Sequence, residues 1–145
     1  MNQKITFSTI LVALTLFFVC FSNAAPIELS PRVVGQLVYA DFIKLSGRVT
    51  VYEYKTGTVR FWGQFNTGIT NPNGKYELVV SGPPASTIPP QVIPQSLIKP
   101  PGTAAFQWDY NKGIEAFAGK TLSVRFTSVS NVVTILETIA FVQIG

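Results

Sequence analysis

Apolar and polar residues alternate along the chain from Val33 onward, in runs of six to ten residues bounded by Gly, Pro and Asn. A helical period of 3.6 residues persists nowhere in this part of the sequence. Because successive side chains of a strand point to opposite faces of its sheet, a period of two indicates strands. The pattern predicts an all-β fold, specifically an antiparallel Greek-key β-sandwich of about seven or eight strands.

Two neighbouring runs, 45–54 and 58–65, are predicted to form a β-hairpin. A two-residue loop at 55–56 would set inward side chains against outward ones, whereas a three-residue loop at 55–57 keeps the two faces matched. Gly57 then takes the left-handed position that such a loop requires. The cross-strand pairs that follow are Val51 with Phe61 on the inner face, and Tyr52 with Arg60 and Thr50 with Trp62 on the outer face.

A Pro-rich segment at 82–102 holds seven of the ten prolines and follows a third predicted strand at 76–80. Proline lacks the N–H that a sheet interior needs, so this segment is not a central strand. We expect it to be a long crossover between the two sheets, with a mobile loop as the alternative. Its apolar residues favour the crossover, since they offer surface to bury: Ile88, Val92, Ile93, Leu97 and Ile98.

Three further strands are predicted at 103–110, 120–129 and 132–144. The last run is apolar at positions facing both sides, which is typical of a central core strand, and we expect a bulge near Glu137. A lipid-anchor tail is the alternative for this run, but Glu137 interrupts it. Together these elements predict one domain spanning residues 26–145.

The first 25 residues resemble a cleaved secretory signal peptide. Lys4 precedes an apolar run at 10–21, and small residues at 22–25 precede Pro26. The run is too short to span a bilayer, which disfavours an uncleaved membrane anchor. We therefore expect an extracellular protein that has no membrane contact after cleavage. It would also have no thiol, because the single cysteine, Cys20, is removed.

Composition excludes several classes of function. The chain contains no histidine, so catalytic relays and metal sites that need imidazole are absent. After removal of the signal peptide the net charge is about +3, too small and scattered for nucleic-acid binding. The carboxylates of Asp109 and Glu115 are near in sequence, but we expect them to mark a solvated strand end and turn. We predict a non-enzymatic protein without cofactor or metal.

Two parts of the sequence resemble the Cu/Zn superoxide dismutase-like β-sandwich. Residues 47–51 (GRVTV) with 58–65 (TVRFWGQF) match its opening, and residues 119–125 (GKTLSVR) match its closing segment; the chordin-type domain has a similar opening hairpin. The resemblance covers about half of the chain after the signal peptide. It implies the same sandwich without its chemistry, because the strand that would carry metal ligands reads GKYELVVS at 74–81 and Arg125 stands at the closing ligand position.

The outer face of the predicted hairpin is the candidate binding site. It gathers flat aromatic rings beside cations: Arg48, Tyr52, Tyr54, Arg60 and Trp62. Tyrosine and tryptophan suit stacking on sugar faces, and guanidinium groups hydrogen-bond hydroxyl groups or uronate carboxylates. This predicts a binding module for extracellular carbohydrate or an acidic surface polymer. Ordinary cross-strand packing, or cover by the Pro-rich segment, is the alternative explanation of these residues.

A second hypothesis is a secreted structural or protein-interaction domain that acts through its sheet edges or through the Pro-rich segment. The prolines paired at 83–84, 89–90 and 100–101 would offer a polyproline surface to a surface protein. The sequence leaves the ligand, the partner and the oligomeric state open.

Overall fold

Two antiparallel sheets pack face to face in the computed structural model, which describes residues 35–144. The all-β Greek-key sandwich is confirmed, and seven strands in this part of the chain have five residues or more. The strands are β1 (Leu37–Phe42), β2 (Gly47–Lys55), β3 (Thr58–Phe65), β4 (Lys75–Ser81), β5 (Gln91–Val92), β6 (Ile98–Lys99), β7 (Gly102–Thr103), β8 (Phe106–Tyr110), β9 (Thr121–Thr127), β10 (Val133–Ala140) and β11 (Val142–Ile144), with short 3-10 helices at Gln95–Leu97 and Ile114–Ala116.

The predicted signal peptide at 1–25, its cleavage point and Cys20 lie outside the described residues. Within residues 35–144, no helix is long and apolar enough to cross a membrane.

The five-stranded sheet has the order β11-β1-β2-β3-β8, and the four-stranded sheet has the order β10-β9-β4-β5. The chain changes sheet between β3 and β4, and again between β5 and β8. The second connection, which is long, returns the chain to the five-stranded sheet and places β8 beside β3. Strands β6 and β7 form a small ladder of their own within it.

The predicted hairpin register is confirmed. Val51 pairs with Phe61 and Thr50 pairs with Trp62. The register shifts by one residue between Glu53 and Lys55, where a bulge next to the turn accommodates the extra residue. Gly57 has a φ of 69°, the left-handed conformation expected for it. Inner positions of β2 and β3 are buried while their neighbours face outward, as the period of two requires. Each large apolar side chain buried in this way stabilises the fold by about 1.5–3 kcal/mol.

The Pro-rich segment is packed onto the sandwich by three isoleucines, Ile88, Ile93 and Ile98, each 6% exposed or less. Val92 in contrast is 46% exposed, because its short strand β5 lies at the edge of the four-stranded sheet. The segment therefore contributes to the core, although its prolines keep it out of the sheet interior.

The last predicted strand is not a central core strand; that expectation was wrong. Residues 133–144 form two edge strands, β10 in one sheet and β11 in the other, and the chain changes sheet at the buried Phe141. Apolar residues occur on both faces of the run because Val133 and Ile135 are left exposed, at 57% and 53%. The bulge expected near Glu137 is present, between Ile135 and Glu137.

Candidate functional site

The outer face of the five-stranded sheet carries all of the predicted site residues. Trp62 lies opposite Thr50, so it is diagonal to Tyr52 and Arg48, as the hairpin register predicts. Trp62 is 42% exposed, and the Pro-rich segment does not cover it. The residues brought to this face by β2 and β3 are Arg48, Tyr52, Tyr54, Arg60 and Trp62.

One row of side chains crosses this face at right angles to the strands and carries no charge. We call it the neutral row. Five strands spaced about 4.8 Å apart make such a row about 19 Å long. Its members, from β11 to β8, are Val142, Tyr39, Thr50, Trp62 and Gln107.

An ion pair lies on each side of the neutral row. Arg60 donates two hydrogen bonds of 2.8 Å to Asp109, which also accepts one of 3.1 Å from the hydroxyl of Tyr54. Arg48 likewise donates two hydrogen bonds, of 2.5 and 2.7 Å, to the carboxylate of Asp41. In each pair the guanidinium holds the pKa of the carboxyl group below its usual value. Both acids are therefore charged at neutral pH, and each pair has no net charge.

Both guanidinium groups also cover a tyrosine ring. The Cζ atom of Arg48 lies 4.7 Å from the ring centroid of Tyr39, and that of Arg60 lies 4.8 Å from the centroid of Tyr54. These cations are thus fixed between a carboxylate and an aromatic face. Among residues 35–144, no such cation lies over Trp62, whose indole is the open ring of the neutral row.

Sequence reasoning missed four residues of this face: Tyr39, Asp41, Gln107 and Asp109. Asp41 and Tyr39 belong to β1, which pairs with β2 through a short turn, and the alternation of β1 could have placed them. Asp109 could not be placed, because β8 reaches β3 only through the long crossover. Asp109 was expected at a solvated strand end, and it instead binds Arg60 and Tyr54.

A buried lysine elsewhere in the domain has a structural role. Lys120 is 5% exposed, and its ammonium group donates hydrogen bonds to the carbonyl oxygens of Gly82 and Pro84. It borders a depression of about 190 Å³ whose rim includes Glu115. The contacts of Lys120 fix the start of the Pro-rich segment. Within the described residues, no three Asp, Glu, His or Cys side chains come together as a metal site would require.

Comparison with models of known families, with curated proteins and with solved structures gave no match. The resemblance to superoxide dismutase-like sandwiches therefore rests on the sequence segments alone.

Proposed function

We propose that this protein is a secreted, non-catalytic module that binds neutral polysaccharide through Trp62 and the neutral row. The observation that carries the proposal is an indole ring, 42% exposed, on the face of a rigid sheet with uncharged hydrogen-bonding groups on both sides of it. The resemblance to a sandwich family without its metal ligands agrees with a binding role rather than a redox role.

The neutral row offers the two kinds of contact that sugars need. The flat face of an indole stacks on the C–H face of a pyranose ring. The hydroxyl of Thr50 and the amide of Gln107 lie on the neighbouring strands, one on each side of Trp62, where they can bind the ring hydroxyls. Because the strands fix the backbone positions of all three residues, little backbone entropy is lost on binding.

The charges on this face favour a neutral ligand over an acidic one. Arg48 and Arg60 were the residues expected to bind uronate groups, but each guanidinium already donates two hydrogen bonds to a carboxylate of this protein. An acidic polymer would have to compete with Asp41 and Asp109 for those donors. The ion pairs support the proposal in another way, because the guanidinium of each pair covers a tyrosine ring and leaves Trp62 as the open ring of the neutral row.

The alternative, recognition through the Pro-rich segment, has less support. Three of its isoleucines are buried in the core, so the segment cannot leave the sandwich without exposing them. A structural or protein-interaction role remains the second candidate, and the exposed apolar edge strand β10 favours it.

The test is binding of the chain, as processed by a secreting host, to a panel of neutral and acidic polysaccharides. Stacking of a nucleic-acid base on an aromatic side chain is worth about 1–3 kcal/mol; taking the same range for a sugar ring, Trp62→Ala is expected to weaken binding by roughly 5- to 150-fold. Trp62→Phe should restore most of the affinity. Val92→Ala, which also shortens an exposed apolar residue but on the other sheet, is the matched control and should bind as the wild type does.

Salt separates the two classes of ligand. Binding of a neutral polysaccharide should not change with ionic strength, whereas binding of an acidic polymer should weaken as salt is added. Absence of binding across the panel, or equal binding by wild type and Trp62→Ala, would show that the aromatic face is packing only. Retention of the protein inside the host cell would contradict the secreted part of the proposal.

A further inference from the structure

Strand β10 is a long sheet edge without a partner in the described residues. It has eight residues, whereas the opposite edge of the same sheet, β5, has two. In the five-stranded sheet the edges are β11, with three residues, and β8, which carries the charged Asp109. An exposed edge offers unpaired backbone groups to another strand, and proteins usually protect it with charge or proline.

The backbone groups that β10 leaves open follow from its pairing with β9. The N–H of Ser128 donates to the carbonyl of Val132 at 2.9 Å, and Phe126 pairs with Thr134 two positions on. Hydrogen-bonded and non-hydrogen-bonded pairs alternate along an antiparallel ladder. The N–H and C=O groups of Val133 and Ile135 therefore point away from β9, toward the open edge.

The side chains of this edge are uncharged, and the most exposed large ones are apolar. From Ser128 to Leu136 there is no charged residue and no proline. Val132, Val133 and Ile135 are 59%, 57% and 53% exposed. No like charges would therefore face each other if two copies of this strand came together, in contrast to the β8 edge with its aspartate.

We propose that two copies of this chain pair through β10, antiparallel, about a two-fold axis at Thr134. In this register Val133 lies opposite the partner subunit's Ile135 and Val132 lies opposite the partner subunit's Leu136. Each exposed apolar residue of the edge then gains an apolar partner. Val133 and Ile135, whose backbone groups are open, become the hydrogen-bonded positions, which gives four backbone hydrogen bonds across the axis. The two four-stranded sheets join into one eight-stranded sheet.

Neighbouring registers fit less well. A shift of the pairing by one residue would set open backbone groups against groups already bonded to β9. An axis at Val133 would place Val132 opposite a threonine. An axis at Ile135 would place Val133 opposite Glu137, whose carboxylate is already bonded inside its own subunit. The register that pairs apolar side chains with each other is therefore also the one that pairs the open backbone groups with each other.

One strand pair is a small interface, at the low end of the range seen for specific complexes. We expect a reversible dimer with a dissociation constant on the order of 100 μM. Sedimentation equilibrium from about 10 μM to about 1 mM, on the chain as processed by a secreting host, should show the mass rising from one to two subunits. A single subunit throughout that range would overturn the proposal.

Two pairs of variants test the edge and the register. Val133→Lys brings a charge to the axis and should weaken dimerisation by at least tenfold, whereas Val92→Lys, at an exposed valine on β5, the opposite edge of the same sheet, should leave it unchanged. Thr134 faces its own copy in a non-hydrogen-bonded pair, whose Cα atoms are about 4.5 Å apart, within reach of a disulfide. Thr134→Cys should therefore cross-link on oxidation and Thr138→Cys should not, each in a Cys20→Ser background.

The opposite pattern in either pair would overturn the proposal, since it would place the contact on another edge or in another register. The outcome is independent of polysaccharide binding, because Trp62 lies on the other sheet. A dimer that binds no sugar, or a monomer that binds it, separates the two proposals.

Discussion

Glu137 links the two sheets, and its removal is the most demanding test of this fold. The residue is 9% exposed. Its carboxylate accepts hydrogen bonds of 3.0–3.2 Å from three consecutive backbone N–H groups, those of Ile43, Lys44 and Leu45. These residues form the turn between β1 and β2 in the five-stranded sheet, whereas Glu137 belongs to the four-stranded sheet. The bulge after Ile135 turns Glu137 inward, since it would otherwise share the outer face with Ile135.

The substitution Glu137→Gln keeps the shape of the side chain and removes one acceptor oxygen. The amide nitrogen that replaces it would face N–H donors, and the bond to the buried N–H of Leu45 would be lost or reduced. A hydrogen bond to a charged group contributes about 1.5–3 kcal/mol, and an unsatisfied buried donor costs a similar amount. We therefore expect a loss of about 3 kcal/mol, a large part of the 5–15 kcal/mol that is usual for a domain.

The measurement is urea unfolding followed by the fluorescence of Trp62 and Trp108, with the melting temperature as a second observable. A loss of about 3 kcal/mol should lower Tm by roughly 10 °C or more. Glu115→Gln, a neutralisation of an exposed acid, is the control and should change the free energy of unfolding by less than about 0.5 kcal/mol. If Glu137→Gln matches that control, the link between the sheets does not stabilise the fold and the reasoning fails.

Three further predictions concern other parts of the fold. Burial raises the pKa of Glu77, but hydrogen bonds from Lys75 and Arg125 bring that pKa below its ordinary value of 4.5. A lowered pKa stabilises the folded state above the unfolded pKa, so unfolding titrations should show stability lost as the pH falls below 4.5, less so in Glu77→Gln. Gly63→Ala should destabilise by about 1–3 kcal/mol in the same assay, because its Cβ would lie 2.7 Å from the ring of Phe106. The Pro-rich segment 82–102 should resist limited proteolysis under native conditions; rapid cleavage there, read by mass spectrometry, would contradict its packing.

The sequence was sufficient to predict the hairpin, because local rules determine it. Turn chemistry at Gly57 and the matching of faces left one register, and the structure has that register. The positions of the outward aromatics on β2 and β3 follow from it. What the alternation could not provide was the neighbour of β3 on its other side, since that pairing depends on how the long crossover packs.

The final strand shows where pattern reasoning fails. A run that is apolar on both faces is typical of a strand covered on both sides. Here the same pattern arises because the run divides at Phe141 between two sheets and leaves apolar residues exposed along β10 and β11. Hydrophobicity along the chain does not distinguish a residue buried in the core from one on an open edge. That difference is set by tertiary contacts.

The division of residues 133–144 between both sheets also bears on how the chain is made. Neither sheet has all its strands until this stretch is available, since β10 completes one and β11 completes the other. The carboxylate that ties the β1–β2 turn is in the same stretch. While a ribosome is still adding residues, the earlier strands have the hairpin of β2 and β3 but lack the segment that closes both sheets. The nascent chain therefore cannot complete either sheet until residues 133–144 have been synthesised, and until then the edges of its earlier strands remain accessible to a chaperone.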